Sequence, residues 1–259
     1  MLPDFGGRRE RAVLVGRRAC GAAASLLKAR GKPRVDDRRV LSGILHVLRN
    51  GLRWQDAPAA YGPNKALCNR FARWSRLGVF ARIFRDLARP GTDGHTLMID
   101  STHLKAHRTA ARLREWGLRP RAIGRAKGGL NSKLHMVSDG RGRPLTFFLS
   151  PGQMSDTRGA LVLLADLPAA KRLLGDKGYD ADRLRDEPKA RGLRVCIPGR
   201  RGRLRPARHN RRLYKKRCQI ENAFARLNDR RGIAMRYTRC GDLFLSAIAL
   251  AATVIFWLT

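Results

Sequence analysis

At 259 residues the chain can bury a sizeable core, as one large or two small domains, and its apolar fraction, 43%, is near that of ordinary globular proteins. The charge is far from ordinary: 55 Lys and Arg face 20 Asp and Glu, a net +35, which repels itself unless a polyanion neutralises it and makes DNA or RNA the expected partner. Cys20, Cys68, Cys196, Cys218 and Cys240 form no CxxC and have no His at finger spacing, which argues against a zinc site or a disulfide framework and for a reducing cytoplasm.

Residues 1–35 carry no clear pattern. The small apolar run at 12–27 is interrupted by Arg17 and Arg18, which speaks against a secretory signal. From Asp36 the pattern is helical: Asp36 or Asp37 can cap, and Val40, Leu41, Ile44, Leu45 and Leu48 recur at helical spacing. Gly51 stops this helix. Asn64 is expected to cap a second helix with Leu67, Phe71 and Trp74 on one face, and Gly78 separates it from a third, with Phe80, Ile83, Phe84 and Leu87. Arg70, Arg73 and Arg76 fall on outer faces. Residues 36–88 therefore read as a small all-helical, helix-turn-helix-like DNA-binding domain with Arg70 and Arg73 as contacts; the alternative is a helical bundle whose basic face is merely solvated. RPGTDGH, 89–95, reads as a linker.

The second domain, 96–259, opens with TLMID, an apolar run that ends in Asp100 as a buried strand delivering a carboxylate would, and STHLKAH continues it. Residues 107–131 are basic and contain glycine with little periodicity, so they read as a mobile loop. KLHMVSD, a GRGR turn and PLTFFLS make a hairpin at 133–150. Ser155 or Asp156 caps a helix through Leu167, and LLGDKGYD is a second apolar lead into an acid, Asp176. Residues 180–190 read as helix and 193–198 as strand. A cationic loop, 199–212, runs into the segment Tyr214 to Arg231. At about 100° per residue, Tyr214, Arg217, Glu221 and Asn228 share one face of that helix, beside an apolar stripe of Ile220, Phe224 and Leu227. The tail LFLSAIALAATVIFWL, 243–258, falls just short of a bilayer span and reads as a helix packed inside the protein.

The expected class is α/β: a mixed sheet flanked by helices, preceded by the all-helical unit. Two acids at strand ends and one on a later helix can converge at a sheet edge. Like charges a few ångströms apart resist joint ionisation, and a hard divalent cation such as magnesium resolves that conflict. Clustering acids against a polyanion serves no binding purpose, which disfavours a basic RNA-binding structural protein.

The segments PRVDDRRVLSGILHVLRNGLRW, DSTHLKAHRTA, SKLHMVSDGRGRPL, LLGDKGYDA and YKKRCQIENAFARL resemble the DDE-class bacterial insertion-sequence transposases, in the group called the IS-five family. The resemblance runs from about Ser25 to the C-terminus. The helix signature of that family, Y-x2-R-x3-E-x6-K, is met at Tyr214, Arg217 and Glu221. It implies an RNase H-like core with Asp100, Asp176 and Glu221 holding Mg2+ or Mn2+, as two ions. It also implies hydrolysis of phosphodiesters at terminal inverted repeats, strand transfer to target DNA, and a homodimer in the DNA complex, in the bacterial cytoplasm at the nucleoid and without a membrane. Arg217 and Tyr214 would orient a phosphate. Lys127, Lys133, Lys177, Arg200, Arg201, Arg203, Lys215 and Lys216 would contact DNA, which backbone contacts position without specifying sequence. Two departures stand out: the last Lys of the signature is Asn228, and the first 24 residues or so lack the acidic, Trp-containing helix usual in the group. They give an alternative reading, a decayed transposase that only binds DNA or acts as a repressor.

Overall fold

The computed structural model describes residues 36–88, 95–111, 121–165, 167–203 and 207–258. The unpatterned segment 1–35 and all but the last residue of the linker lie outside them.

Three helices come first: α1 (Asp37–Asn50), α2 (Asn64–Arg76) and α3 (Val79–Leu87). The Asp36 carboxylate accepts the Arg38 N–H at 3.0 Å and so caps α1, while Gly51 ends it at a left-handed φ of 61°. Asn64 does not cap α2 as expected: Pro63 holds the cap position, and no side chain closes that end. The apolar faces meet in a cluster of Val40, Ile44, Leu67, Phe71, Trp74 and Phe80.

The rest of the chain builds a mixed sheet: β1 (Thr96–Ala106), β2 (Gly124–Ala126), β3 (Gly129–Asp139), β4 (Pro144–Pro151), β5 (Arg172–Leu174), β6 (Arg194–Cys196) and β7 (Met235–Arg236). The order is β2–β3–β1–β5–β6, with β4 also on β3 and β7 also on β1. β3 runs antiparallel to both of its long neighbours, β1 and β4, whereas β5 runs parallel to β1 and β6 parallel to β5. Helices α4 (Asp156–Leu164), α5 (Asp182–Ala190), α6 (Cys218–Asn228) and α7 (Gly241–Ala252) cover it. The period-2 alternation of a strand sorts β1 into two cores. Met98 and Leu104 face α6 and α7, packing with Ile220, Phe224, Phe244 and Ile248. Leu97 and Ile99 face α4 and α5, packing with Ala160, Leu163 and Leu184. Gly159 allows α4 to lie on the sheet, because a Cβ there would stand 2.1 Å from the His135 ring.

β1 continues six residues past Asp100 through STHLKA, as expected, its polar second half pairing with β3 from Ser101↔His135 to Lys105↔Asn131. One expectation is revised. The loop expected at 107–131 contains, in its described parts, a helical turn at Arg108–Ala111, strand β2 and the start of β3. Order there comes from a distant residue. Arg236, fully buried, donates to the carbonyls of Arg121 (2.7 Å) and Ala122 (3.3 Å) and to the Ser132 hydroxyl (2.6 Å), and stacks on Phe244 at 4.8 Å.

The tail explains its own hydrophobicity. One side of α7 (Phe244, Ile248, Ala249, Ala252) belongs to the sheet core, and the other (Ala247, Leu250) packs against α1–α3. A helix buried on both sides is apolar all round. Among the described residues no helix is long and apolar enough to cross a membrane. Phe244→Ala should therefore cost about 3–5 kcal/mol, whereas Val162→Ala, on a half-exposed side chain of α4, should stay within about 0.5 kcal/mol. Denaturant midpoints at constant slope would check both.

Candidate active site

The last apolar step of β1 before its polar half leaves Asp100 on the α6 face of the sheet, with Thr102 and Leu104 after it. One Asp100 oxygen accepts the Ser101 N–H at 2.8 Å, and the other accepts Arg217 Nη1 at 2.8 Å. The second terminal nitrogen of Arg217, Nη2, donates to Glu221 Oε1. One guanidinium thus joins two of the three acids singled out in the sequence. Arg217 reaches them because it ends a tightened turn, Lys215–Arg217, that leads into α6 four residues before Glu221. The expected continuous helix from Tyr214 to Arg231 is in fact a short helix (Arg211–Tyr214), this turn, α6 and a further short helix (Arg231–Ala234). Tyr214 keeps the expected face, its ring 5.8 Å from the Arg217 guanidinium carbon. Asp176 follows β5 and accepts the Gly178 N–H at 2.7 Å, turning the chain toward α5.

Electrostatics mark Asp100 out. Burial pushes its carboxyl up to about 6, and the Asp176 charge adds to that rise, while the Ser101 N–H and Arg217 oppose it. Burial works against the Arg217 cation, yet Asp100 and Glu221 outweigh it and hold its pKa above the usual guanidinium value. The ion pair therefore offsets only part of what it costs to bury Asp100. The donors are all carboxylate oxygens, the hard ligands that magnesium and manganese prefer, gathered where the protein already places a cation. In donor chemistry they suit a divalent ion. Among the described residues, however, no three or more acid, His or Cys side chains stand in an arrangement ready to hold one.

The expected DNA contacts fall into two groups. Arg73, Lys127, Lys177, Arg201, Lys215 and Lys216 are exposed. Others already have internal partners. Arg70 pairs with Asp37 and stacks on Trp74 at 5.4 Å. Arg200 braces the turn after Asp176 through the Lys177 and Gly178 carbonyls, at 3.2 and 2.8 Å. Arg203 pairs with Asp180 and Asp182. Lys133 is buried on the α4 face, opposite Asp100, with its ammonium 2.7 Å from Asp156. Asn228 is half-buried at the end of α6.

Sequence reasoning missed two polar networks. Ser101 and Lys133 meet at Asp156 on the α4 face. Buried Asp180 gathers Arg185 Nε (2.7 Å), Arg203 Nη1 (2.8 Å) and the Arg200 N–H (2.7 Å), which ties the basic stretch after β6 to α5. The only hint was the D-x3-D spacing from Asp176 to Asp180.

Antiparallel strands are continued by parallel ones, with an acid on the central strand and another on a helix across one face. The family model described as "Transposase DDE domain" matches residues 92–257, and a second, for transposases of the IS4/5 family, matches residues 22–84. The chain belongs to the DDE transposases of the IS4/IS5 group. It is 30% identical over 160 residues to the transposase named for insertion sequence element IS402 of Burkholderia cepacia, covering 56% of this chain and 72% of that one. It is 34% identical over 134 residues to that named for IS6501 of Brucella ovis, covering 50% and 99%. The fold is RNase H-like: the piggyBac transposase in a synaptic complex with hairpin DNA superposes with TM-score 0.52 at 10% identity, over 96% of this chain and 72% of that one.

The raised Asp100 pKa has a sign that can be tested. Its folded value of about 6 lies above the ordinary 3.8, so the native state holds the extra proton between those values, and stability from this group is present at low pH and lost as pH rises through the window. The ceiling is about 3 kcal/mol. In chelator, the stability of wild type relative to Asp100→Asn should fall between about pH 4 and 6 and level off above about 7. A difference that stays flat across that range would contradict the burial argument.

Proposed function

We propose that this chain catalyses transposition of an insertion sequence, hydrolysing phosphodiesters at the terminal inverted repeats to leave 3′-hydroxyls and joining those hydroxyls to target DNA. The observation that supports it most is the meeting of Asp100 and Glu221 on one guanidinium, with Asp176 close enough to add to the rise in the Asp100 pKa. In this reading Asp100, Asp176 and Glu221 hold Mg2+ or Mn2+, as two ions. Bound there, the ions supply the charge that activates the attacking oxygen and relieves the leaving one in an in-line displacement. Both steps are such displacements, so one site serves both.

The chain's own residues position the DNA. Lys215 and Lys216, exposed on the turn leading into α6, lie next in sequence to Arg217 and contact phosphates near the reacting bond. Arg217 and Tyr214 orient a phosphate at the site. Lys127, Lys177 and Arg201 track the backbone further out, and the N-terminal helices, Arg73 among them, form the helix-turn-helix-like reader of 36–88. Two element ends brought together favour a homodimer in the DNA complex, acting at the bacterial nucleoid.

Asn228 favours one other reading, a copy that binds DNA without cutting it, because a charge of the family signature is missing there. A duplex carrying the inverted repeats that flank this gene tests both. With Mg2+ or Mn2+, wild type should nick it at the repeat end. Asp100→Asn should abolish nicking and leave binding intact or tighter, since a buried negative charge beside the DNA is gone. Binding without nicking by wild type would favour the silent reading. Asn228→Lys should tighten binding, more at low salt than at high, and steepen the salt dependence by about 0.9. Unchanged affinity and slope would make the departure neutral.

A further inference from the structure

Arg217 holds two of the three acids, and it does so with the donors a metal would displace. Nη1 lies 2.8 Å from Asp100 Oδ2 and Nη2 is on Glu221 Oε1. Both Arg217 and Asp100 side chains are 16% exposed, so their charges interact with little screening. A divalent ion bound through Asp100 Oδ2 and Glu221 Oε1 would compete with the guanidinium for those oxygens. Crowding both cations into one half-buried pocket also costs Coulomb energy. Arg217 has somewhere to go. Its guanidinium already lies over the edge of the Tyr214 face at 5.8 Å, and it ends a tightened turn with Lys215 and Lys216 exposed beside it. Turned away from the acids it would keep the aromatic contact and present its planar fork to a phosphate, the geometry that guanidinium binds bidentately.

We propose that Arg217 is an exchangeable counter-ion: it neutralises Asp100 and Glu221 in the metal-free protein and moves to a DNA phosphate when divalent metal takes the acids. The inference rests on the metal-site assignment above and adds a coupling to it. Metal frees Arg217 for phosphate, and phosphate frees the acids for metal, so each ligand raises the affinity for the other by the same factor. Arg217 is a positioning residue in this account, acting through the carboxylates and the phosphate rather than on the reacting atoms. The exchange keeps the acids compensated without metal and favours loading of the site when DNA is in place.

Mn2+ titration of the full chain, followed by calorimetry or by loss of the free-ion paramagnetic signal, tests this without any turnover. Wild type should bind Mn2+ weakly alone and more tightly with an inverted-repeat duplex present. Arg217→Gln should bind Mn2+ about tenfold or more tighter than wild type without DNA, within the usual range of coupling energies, and the duplex should no longer improve it. Should the Gln variant misfold, Arg217→Lys, whose single ammonium cannot bridge both acids, should also bind Mn2+ tighter than wild type. Unchanged or weaker Mn2+ binding in a folded Arg217 variant, or an undiminished effect of the duplex, would overturn the exchange. Asp100→Asn separates this from the reading beneath it: that variant should lose the tight Mn2+ site, and if it binds like wild type the metal-site assignment itself fails.

Discussion

The structure depends on how scarce acids are shared among abundant cations. With 20 acids against 55 Lys and Arg, a buried carboxylate always has a basic side chain within reach, and the fold uses these pairs as fasteners. Asp139 takes Arg143 at 2.8 Å and closes the β3–β4 hairpin. Asp156 takes Lys133 and fixes the start of α4 to the sheet. Asp180 takes Arg185 and Arg203 and seats the basic stretch after β6. In each of these at least one cation answers one acid. The Asp100 site breaks the rule: Asp100 and Glu221 share one guanidinium, and Asp176, among the described residues, has no ion pair. A pocket with more acid than base inside a protein this cationic is a local reversal of sign. That reversal supports the divalent ion proposed for the site.

What was legible in the sequence follows the range of the interaction that sets it. Asp100 and Asp176 could be found because a buried strand announces itself in a few consecutive apolar residues, and an acid at the end of such an apolar run is conspicuous. Tyr214, Arg217 and Glu221 could be placed on one face because helical geometry acts over a single turn. The tail read as interior, since its small residues suit a helix packed on two sides, which α7 is. The contact that joins the site spans 117 positions from Asp100 to Arg217, and no local pattern encodes it. The same holds for residues 121–131. They look like loop because their order is imposed by Arg236, 115 residues from the Arg121 carbonyl it binds. Lys133 shows the converse error: in a cationic chain a lysine reads as surface, and only the facing Asp156 reveals an interior ion pair.

Arg236 shows what a buried cation needs when no acid answers it. Burial brings its pKa down to about 10, which still leaves it charged at neutral pH. It is held by carbonyls of Arg121, Ala122, Thr238 and Arg239, by the Ser132 hydroxyl and by the Phe244 ring. Five fixed donors can be matched this way by a guanidinium and not by an ammonium. Arg217 differs in one respect that bears on function. Its partners are two carboxylates beside a third, so its position answers to the charge around it rather than to backbone geometry. A cation fastened to carbonyls stays when ions and DNA arrive, whereas one fastened to acids can be traded for another cation. Arg236 and Arg217 thus divide the work of the cationic chain: Arg236 fixes the far end of β1, and Arg217 stands at the point where the charge balance can change.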